Sequence, residues 1–338
     1  LPSHGDPIFH ARGSTQAIEH RWGPAMKAVQ FSHTQVQHHA GVLVGDDIVD
    51  VSDLLQSAQP SPEQMARFQQ LGIALHPKGW MRWLQLGTAG RQALQATLMH
   101  ALQDPKRPRW PAEQVQWHAP IERPGKIIEI GRNYGDHAKE TGVSPFEKPR
   151  IVFKMPSSIC DPGAQVQIPH DIVKMDFEAE LVVFIGDFVQ HASEQEALQH
   201  VAGYACLNDL SARELQFDIQ PAQTTFAKSM DGFCPLGPWL VSADEVSDPQ
   251  ALDIECRVNG QVMQQANTHD MLFSVARLIH YTSQYMTLEP GDLIATGTPA
   301  GVGAFRNPPV YLKAGDQVEV RVQGLGQLMT HIVEKRPT

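Results

Sequence analysis

Met175-Asp176-Phe177-Glu178-Ala179-Glu180-Leu181-Val182-Val183-Phe184-Ile185-Gly186 carries the pattern on which the fold turns. Its second half is a short apolar run rich in β-branched and aromatic residues that ends at glycine, which reads as a buried strand. Its first half sets Asp176, Glu178 and Glu180 at alternate positions. Alternate residues of a strand point to one face, so the carboxylates line the side that continues into Val182 and Phe184. Carboxylates that merge into a buried face are costly unless a cation neutralises them. A strand whose first half is simply solvated fits the alternation equally well, so the rest of the chain has to decide.

At 338 residues the chain holds one large domain or two, with ample material for a core. Hydrophobic residues at 42% and charged residues at 19% suit an ordinary globular protein rather than a disordered one. A formal net charge of −10 argues against a general nucleic-acid binder, which needs a basic footprint. No apolar run approaches the roughly 20 residues that span a bilayer. Leu1 to Pro24 scatters charges and histidines and has no signal-peptide apolar core. The expectation is a soluble, cytoplasmic protein with neither nucleic acid nor membrane as a partner. Cys160, Cys206, Cys234 and Cys256 form no C-x-x-C pair, so neither a zinc ribbon nor a dithiol redox site is indicated.

Residues 1–25 lack periodicity and read as a leader or extension. Residues 26–103 read as a small α+β unit. It has a strand over Lys27–Phe31, two short strands within Gly41–Val51 joined at Gly45-Asp46-Asp47, and helical patterns over Ser61–Leu71 and Arg91–Gln103. Five prolines between 105 and 124 mark residues 104–125 as a linker. Beyond it, residues 126–338 are strand-rich. A strand over Lys126–Ile130 ends at Gly131, a short helix covers Glu194–His200, and Tyr204–Leu207 is a strand. Asn259-Gly260 joins a hairpin. Met271, Leu272, Val275, Leu278, Ile279 and Met286 follow helical spacing, so 270–286 reads as an amphipathic helix. Leu293–Ala295, Gln317–Val322 and Gln327–Val333 complete a mixed, mostly antiparallel α+β chain dominated by β.

Four stretches could carry chemistry. With a helix starting near Tyr134, His137 and Glu140 share a face, and a carboxylate beside an imidazole raises its basicity. A trivial pair on a solvated helix is the commoner meaning of that spacing. Asp209, where a strand meets an expected helix, is either an N-cap or a third carboxylate beside Glu178 and Glu180. An oxygen-only set of that kind suits Mg²⁺ or Mn²⁺ better than zinc. Arg213 and Gln216, three apart, could fork onto a substrate carboxylate. Lys228 lies in an apolar, turn-rich run where a cation could stabilise an enolate, though alone it is weak. Thr296–Gly303 is a glycine-rich loop after a strand. It lacks the Lys-Ser/Thr ending of a phosphate-binding loop, so nucleotide binding is rejected, while Thr298 and the amides remain able to cradle a small anion.

The wording and order of six motifs break these ties. G-R-N-Y-x-D-H (131–137), F-E-A-E-L (177–181), N-D-L-S-A-R (208–213), A-K-S-M-D-G-F-C-P-L-G-P (227–238), V-N-G (258–260) and T-G-T-P-A-G-V-G (296–303) resemble the fumarylacetoacetate hydrolase family over about residues 126–335. The first 120 residues resemble the variable N-terminal region of longer members, and Phe305–Lys313 resembles the insert of the domain-containing subgroup. The resemblance implies a mixed β-roll or sandwich, a homodimer, and one Mg²⁺ or Mn²⁺ per subunit. By motif, Glu178, Glu180 and Asp209 would hold the metal, and His137 with Glu140 would activate water. Lys228, Arg213, Gln216 and Thr298 would grip the substrate, and Asp176 stays structural.

That resemblance implies a 2-keto acid substrate whose carboxylate and 2-oxygen meet the metal, with an enolate as the common intermediate. The first expectation is a hydrolase that cleaves C3–C4 of a 2,4-dioxo acid of the acylpyruvate type to pyruvate and an acid. The alternatives are an oxaloacetate tautomerase or decarboxylase and an isomerase of an unsaturated 2-hydroxy diacid. A catalytically silent metal-binding protein is the reading outside enzymology. The metal site specifies the intermediate, not the reaction.

Overall fold

The structure, a computed structural model, describes residues 26–140, 142 and 146–334, so the expected leader over 1–25 lies outside the described residues. Alternating apolar residues open the chain as Lys27–His33 (β1), Val36–Val44 (β2) and Asp47–Asp50 (β3), an antiparallel meander. Four helices follow, Ser52–Ser57 (α1), Pro62–Leu71 (α2), Gly79–Gln85 (α3) and Gly87–Gln103 (α4). The Ser61 hydroxyl accepts from the Gln64 N–H and Gly72 closes α2 at φ 67°, so α2 keeps the bounds its pattern predicts. The short helices α1 and α3 have no such signature in the sequence.

The stretch expected as a linker carries two short strands, Arg109–Pro111 (β4) and Gln116–His118 (β5), and buries Trp110 against Phe31. Ile127–Gly131 (β6), Gly135–Glu140 (α5), Arg150–Lys154 (β7), Ile159–Cys160 (β8) and Gln165–Gln167 (β9) come next. The acidic stretch splits into Met175–Asp176 (β10) and Ala179–Ile185 (β11), with Phe177 and Glu178 between them. Val201–Asn208 (β12) and Ser211–Ala212 (β13) follow, then a wide π-type turn over Glu214–Asp218 and Thr224–Lys228 (α6). The helix expected directly after Asp209 is therefore absent: β13 pairs with β10 instead. The helix expected over Glu194–His200 shrinks to a single 3-10 turn at Ala197–His200.

Cys234–Ser242 (β14) is a nine-residue strand through a run that reads as turns in the sequence. Asp253–Val258 (β15) and Gln261–Asn267 (β16) form the hairpin at Asn259-Gly260. Val275–Ser283 (α7) is the core of the expected 270–286 helix, capped by the Ser274 hydroxyl. Leu293–Ala295 (β17), Gln317–Val322 (β18) and Gly326–Val333 (β19) finish the chain.

The strands of the large sheet run in the order β4-β3-β2-β1-β14-β12-β11-β17-β6-β7, with β5 on β1 and β8 on β14. A second sheet, β16-β15-β18-β19-β9, packs across β11, β12 and β14. The chain is α+β with strands dominant. β11 is buried on both faces, which is why its second half is continuously apolar. Leu181, Val183 and Ile185 meet Ile254, Val318, Val320 and Leu328 of the second sheet. Val182 and Phe184 face the other way, onto Leu84, Leu98 and Leu102 of α3 and α4. Each such fully buried side chain contributes about 1.5–3 kcal/mol before chain entropy is subtracted.

Because β1 pairs antiparallel with β14, residues 26–103 do not stand apart: their meander extends the sheet that carries the acidic strand. The four cysteines are unpaired, and burial pushes the Cys160 thiol up to about 12, as for inert packing residues. Among the described residues no helix is long and apolar enough to cross a membrane.

Candidate metal and active site

The centre of the large sheet delivers the acidic residues to one place. Glu180 lies on β11 on the face of Val182 and Phe184, Glu178 precedes that strand, and Asp209 follows the paired strand β12. The register Ala179↔Asn208 sets the two chain segments side by side, so one carboxylate oxygen from each residue lies within 4.8 Å of the others. All three residues are buried. Burial pushes the Glu180 carboxyl well above the usual carboxylate range, and the charges of Asp209, Glu129 and Glu178 add to the effect. The Gly297 N–H donates to its Oε2 at 2.8 Å, but among the described residues no lysine or arginine ion-pairs with it. Three buried oxygen donors, one of them without an ion-pair partner among the described residues, fit a hard divalent cation.

The other two carboxylates are held by cations. Lys228 Nζ donates to Glu178 Oε2 at 2.9 Å, to Ser211 Oγ at 2.8 Å and to Asp209 Oδ2. Burial alone would lower the Lys228 ammonium, but Asp209 and Glu178 outweigh it and hold the lysine charged. Its three N–H groups thus all point at side chains of the site. Arg213 behaves likewise. Its Nε donates to Asp176 Oδ2 at 2.8 Å, Nη2 to Glu178 Oε1 at 2.7 Å and Nη1 to Gln216 Oε1 at 2.7 Å. Arg213 and Gln216 share a face, as their spacing suggests. The guanidinium fork is closed on Asp176 and Glu178 rather than open to a substrate.

His137, at the start of α5, donates or accepts through Nδ1 with Glu140 Oε1 at 2.7 Å, and the Gly301 N–H fixes Glu140 Oε2 at 3.0 Å. The imidazole is 5% exposed, which removes the solvated-helix meaning of the pair. Thr298 Oγ1 accepts from Gln264 Nε2 at 2.7 Å, and Gln264 Oε1 accepts from the Ala179 N–H at 2.9 Å. Gln264 therefore ties the glycine-rich loop to the start of β11. All of the expected site residues except Glu140 line one cavity of about 340 Å³, together with Arg132, Arg150, Phe217 and Phe305.

Three residues of the site carry no signal in the spacing of the sequence. Lys154, at the end of β7, is fully buried and donates to Asp209 Oδ1 at 2.6 Å. Lys154 and Lys228 together overcome burial and hold the Asp209 carboxyl well below the usual range. Glu129 lines the cavity from β6. Burial, with the Asp209 charge adding, pushes its carboxyl up to about 8, against the pull of Lys154 at 3.6 Å. Its place inside Ile127-Ile128-Glu129-Ile130 was a usable signal, since a carboxylate in an apolar strand needs a reason. Gln264 gave none.

Residues 126–333 match the model described as the fumarylacetoacetate (FAA) hydrolase C-terminal domain. The chain belongs to the fumarylacetoacetate hydrolase family. It is 42% identical over 257 residues to the oxaloacetate tautomerase FAHD2A, mitochondrial, of Bos taurus, covering 76% of this chain and 80% of that protein. The fumarylacetoacetate hydrolase of Exiguobacterium antarcticum superposes with a TM-score of 0.71 at 33% identity, covering 92% of this chain and 100% of that one. The maleylpyruvate hydrolase of Sphingobium sp. SYK-6, solved with manganese(II) and pyruvate, superposes with a TM-score of 0.72 at 29% identity over the same shares. Relatives in this family are thus tautomerases and hydrolases, and the chain is an enzyme of that superfamily with an acidic cluster able to hold a metal ion.

Proposed function

We propose that this chain interconverts the keto and enol forms of oxaloacetate, with Mg²⁺ or Mn²⁺ held by Glu178, Glu180 and Asp209. The observation that supports it over C–C hydrolysis is the identity with a named oxaloacetate tautomerase over three quarters of the chain. The bound cation would supply a Lewis acid for the carboxylate and 2-oxygen of a 2-keto acid. The protein's own groups do the rest. Glu140 engages His137 Nδ1, so Nε2 is the ring nitrogen that remains to exchange a proton. In the keto-to-enol direction His137 Nε2 takes the proton from C3, and the C3–H electron pair becomes the C2–C3 double bond. The carbonyl pair moves onto the 2-oxygen, which then takes up a proton; the reverse direction retraces these steps. Lys228 contributes its positive charge to the developing oxyanion, since its N–H groups already have acceptors within the site. Thr298, held by Gln264, and Gln216, held by Arg213, offer polar edges for the carboxylate.

No attacking water is needed for this reaction. A hydrolase of 2,4-dioxo acids would use the same pocket and the same dyad to activate water, and it remains the second reading because the maleylpyruvate hydrolase shares the fold. The deciding experiment follows enol loss from oxaloacetate and pyruvate release from acetylpyruvate in parallel, with metal and after EDTA. Fast, metal-dependent enol loss without pyruvate release supports the tautomerase. Pyruvate release from acetylpyruvate with no effect on the enol overturns it in favour of the hydrolase. Lys228→Ala is expected to lower turnover about 10²–10³-fold while metal affinity falls much less.

A further inference from the structure

His137 has an aromatic neighbour that the proton transfer itself does not use. Phe305, the first residue of the insert, meets the imidazole edge-on, with ring centres 6.1 Å apart and planes at 64°. Phe217, on the turn after β13, lies 5.9 Å from Phe305. All three side chains line the one cavity. Exposure rises along the row, from the buried imidazole through the half-buried Phe305 to Phe217 at 47%, so the row runs from the base out to solvent. Both rings are anchored from Asp176. Its carboxylate accepts from the Gly303 and Ala304 N–H groups at 2.8 and 2.9 Å, which open the 3-10 turn Gly303–Phe305. It also holds Arg213, whose guanidinium carbon sits 5.6 Å from the centre of the Phe217 ring. Arg306 Nε donates to the Gly301 carbonyl at 3.0 Å and Nη2 to the Met263 carbonyl, which clamps the far end of that turn onto β16. The two rings are thus held as a wall beside the base.

We propose that Phe305, backed by Phe217, closes the solvent side of His137 and so selects proton transfer over hydrolysis. The assignment rests on the reading above, in which His137 is the base of a tautomerase. The two reactions share the pocket and the dyad and differ in whether a water stands beside the imidazole. In hydrolysis His137 Nε2 would take a proton from that water while its oxygen bonds to C4. The C3–C4 bond then breaks, its electron pair becomes the C2–C3 double bond of pyruvate enolate, and C3 takes up a proton. In tautomerisation the same nitrogen takes the C3 proton and no oxygen enters. A phenyl ring beside the imidazole offers water no strong hydrogen-bond partner, so holding a water in line there costs free energy that direct proton transfer does not. Phe305 therefore acts on the choice of reaction, with Phe217 positioning it.

The test measures two rates on the full Mg²⁺-loaded chain, enol loss from oxaloacetate and pyruvate release from acetylpyruvate, and takes their ratio. Phe305→Ala is expected to raise the ratio of hydrolysis to tautomerisation about tenfold or more, with pyruvate release itself increasing. Phe217→Ala should raise it about threefold, and Phe305→Leu, which keeps the wall apolar, should leave it within about twofold of the wild type. Phe217 is exposed, so its variant keeps the core intact if Phe305→Ala does not fold. A purely structural role would lower both rates together and leave the ratio where it was. A wild type that converts the enol, with an unchanged ratio in the folded alanine variants, overturns the wall alone. A wild type that leaves the enol of oxaloacetate untouched overturns the tautomerase reading and the wall with it.

Discussion

Asp176 shows how a carboxylate can organise the site without entering it. Its Oδ1 accepts from the Phe177 and Gly303 N–H groups at 2.9 and 2.8 Å, and its Oδ2 from Ala304 N–H and Arg213 Nε at 2.9 and 2.8 Å. It is fully buried, so Asp176→Ala strands three amides and half of a guanidinium fork. Breaking a buried pair in this way costs about 3–5 kcal/mol, or roughly 4–7 °C in a chain of this size. A fall of that order is expected in thermal unfolding followed by circular dichroism; a shift under about 2 °C would show that water takes over those donors. The sequence separates Asp176 from Glu178 and Glu180 only through the family motif, since all three share one alternation. Lys154 and Gln264 could not be read at all. Their meaning depends on a partner that is 55 residues away for Lys154 and 34 for Gln264, a distance that no local period encodes.

At the scale of elements, the loop after β17 does the positioning. Gly301 has φ 105°, and a Cβ there would stand 2.2 Å from the Met263 carbonyl oxygen of β16. Only glycine lets the loop pass this strand, and the same residue's N–H holds Glu140 against His137. Gly301→Ala is therefore expected to push the loop outward and loosen the dyad. Enol conversion should fall about tenfold or more, with the chain still folded and metal still bound. Unchanged turnover would show that Glu140 needs no support from the loop. The hairpin at Asn259-Gly260 and the final strand pair were legible because each has alternation and a turn signal, and β17 because its short apolar run follows the Pro290-Gly291-Asp292 turn. β14 was not. Pro235, Gly237 and Pro238 within it normally argue against a central strand, yet the run bridges β12 and β1. Its cross-strand partners, not its own residues, make it a strand.

At the scale of the molecule, the continuous sheet binds the two halves of the chain to one fate. Removing residues 1–120 would expose the β14 edge and uncover the face on which Trp80, Leu84, Leu98 and Leu102 pack over Phe184 and Leu236. A bare edge beside an apolar face is an aggregation site. The fragment 121–338 is expected to aggregate on size exclusion, although it spans all of the matched family domain. A monodisperse fragment with native circular dichroism would show that the first 120 residues are an independent unit after all. The division at residues 104–125 was visible as a change of composition. The sheet that crosses it was not, because pairing between β1 and β14 joins segments some 200 residues apart.

The central claim is that Glu178, Glu180 and Asp209 form a cation site, and manganese titration followed by the electron paramagnetic resonance of free Mn²⁺ tests it most directly. The full chain is expected to take up one ion, and Glu180→Gln and Asp209→Asn to lose that uptake while unfolding at a temperature close to the wild type's for Glu180→Gln. Burial already opposes the Glu180 charge, so its neutral amide should be tolerated by the fold and felt only by the metal. Undiminished uptake of one ion by both variants would contradict the account, because it would put the metal somewhere other than at these three carboxylates.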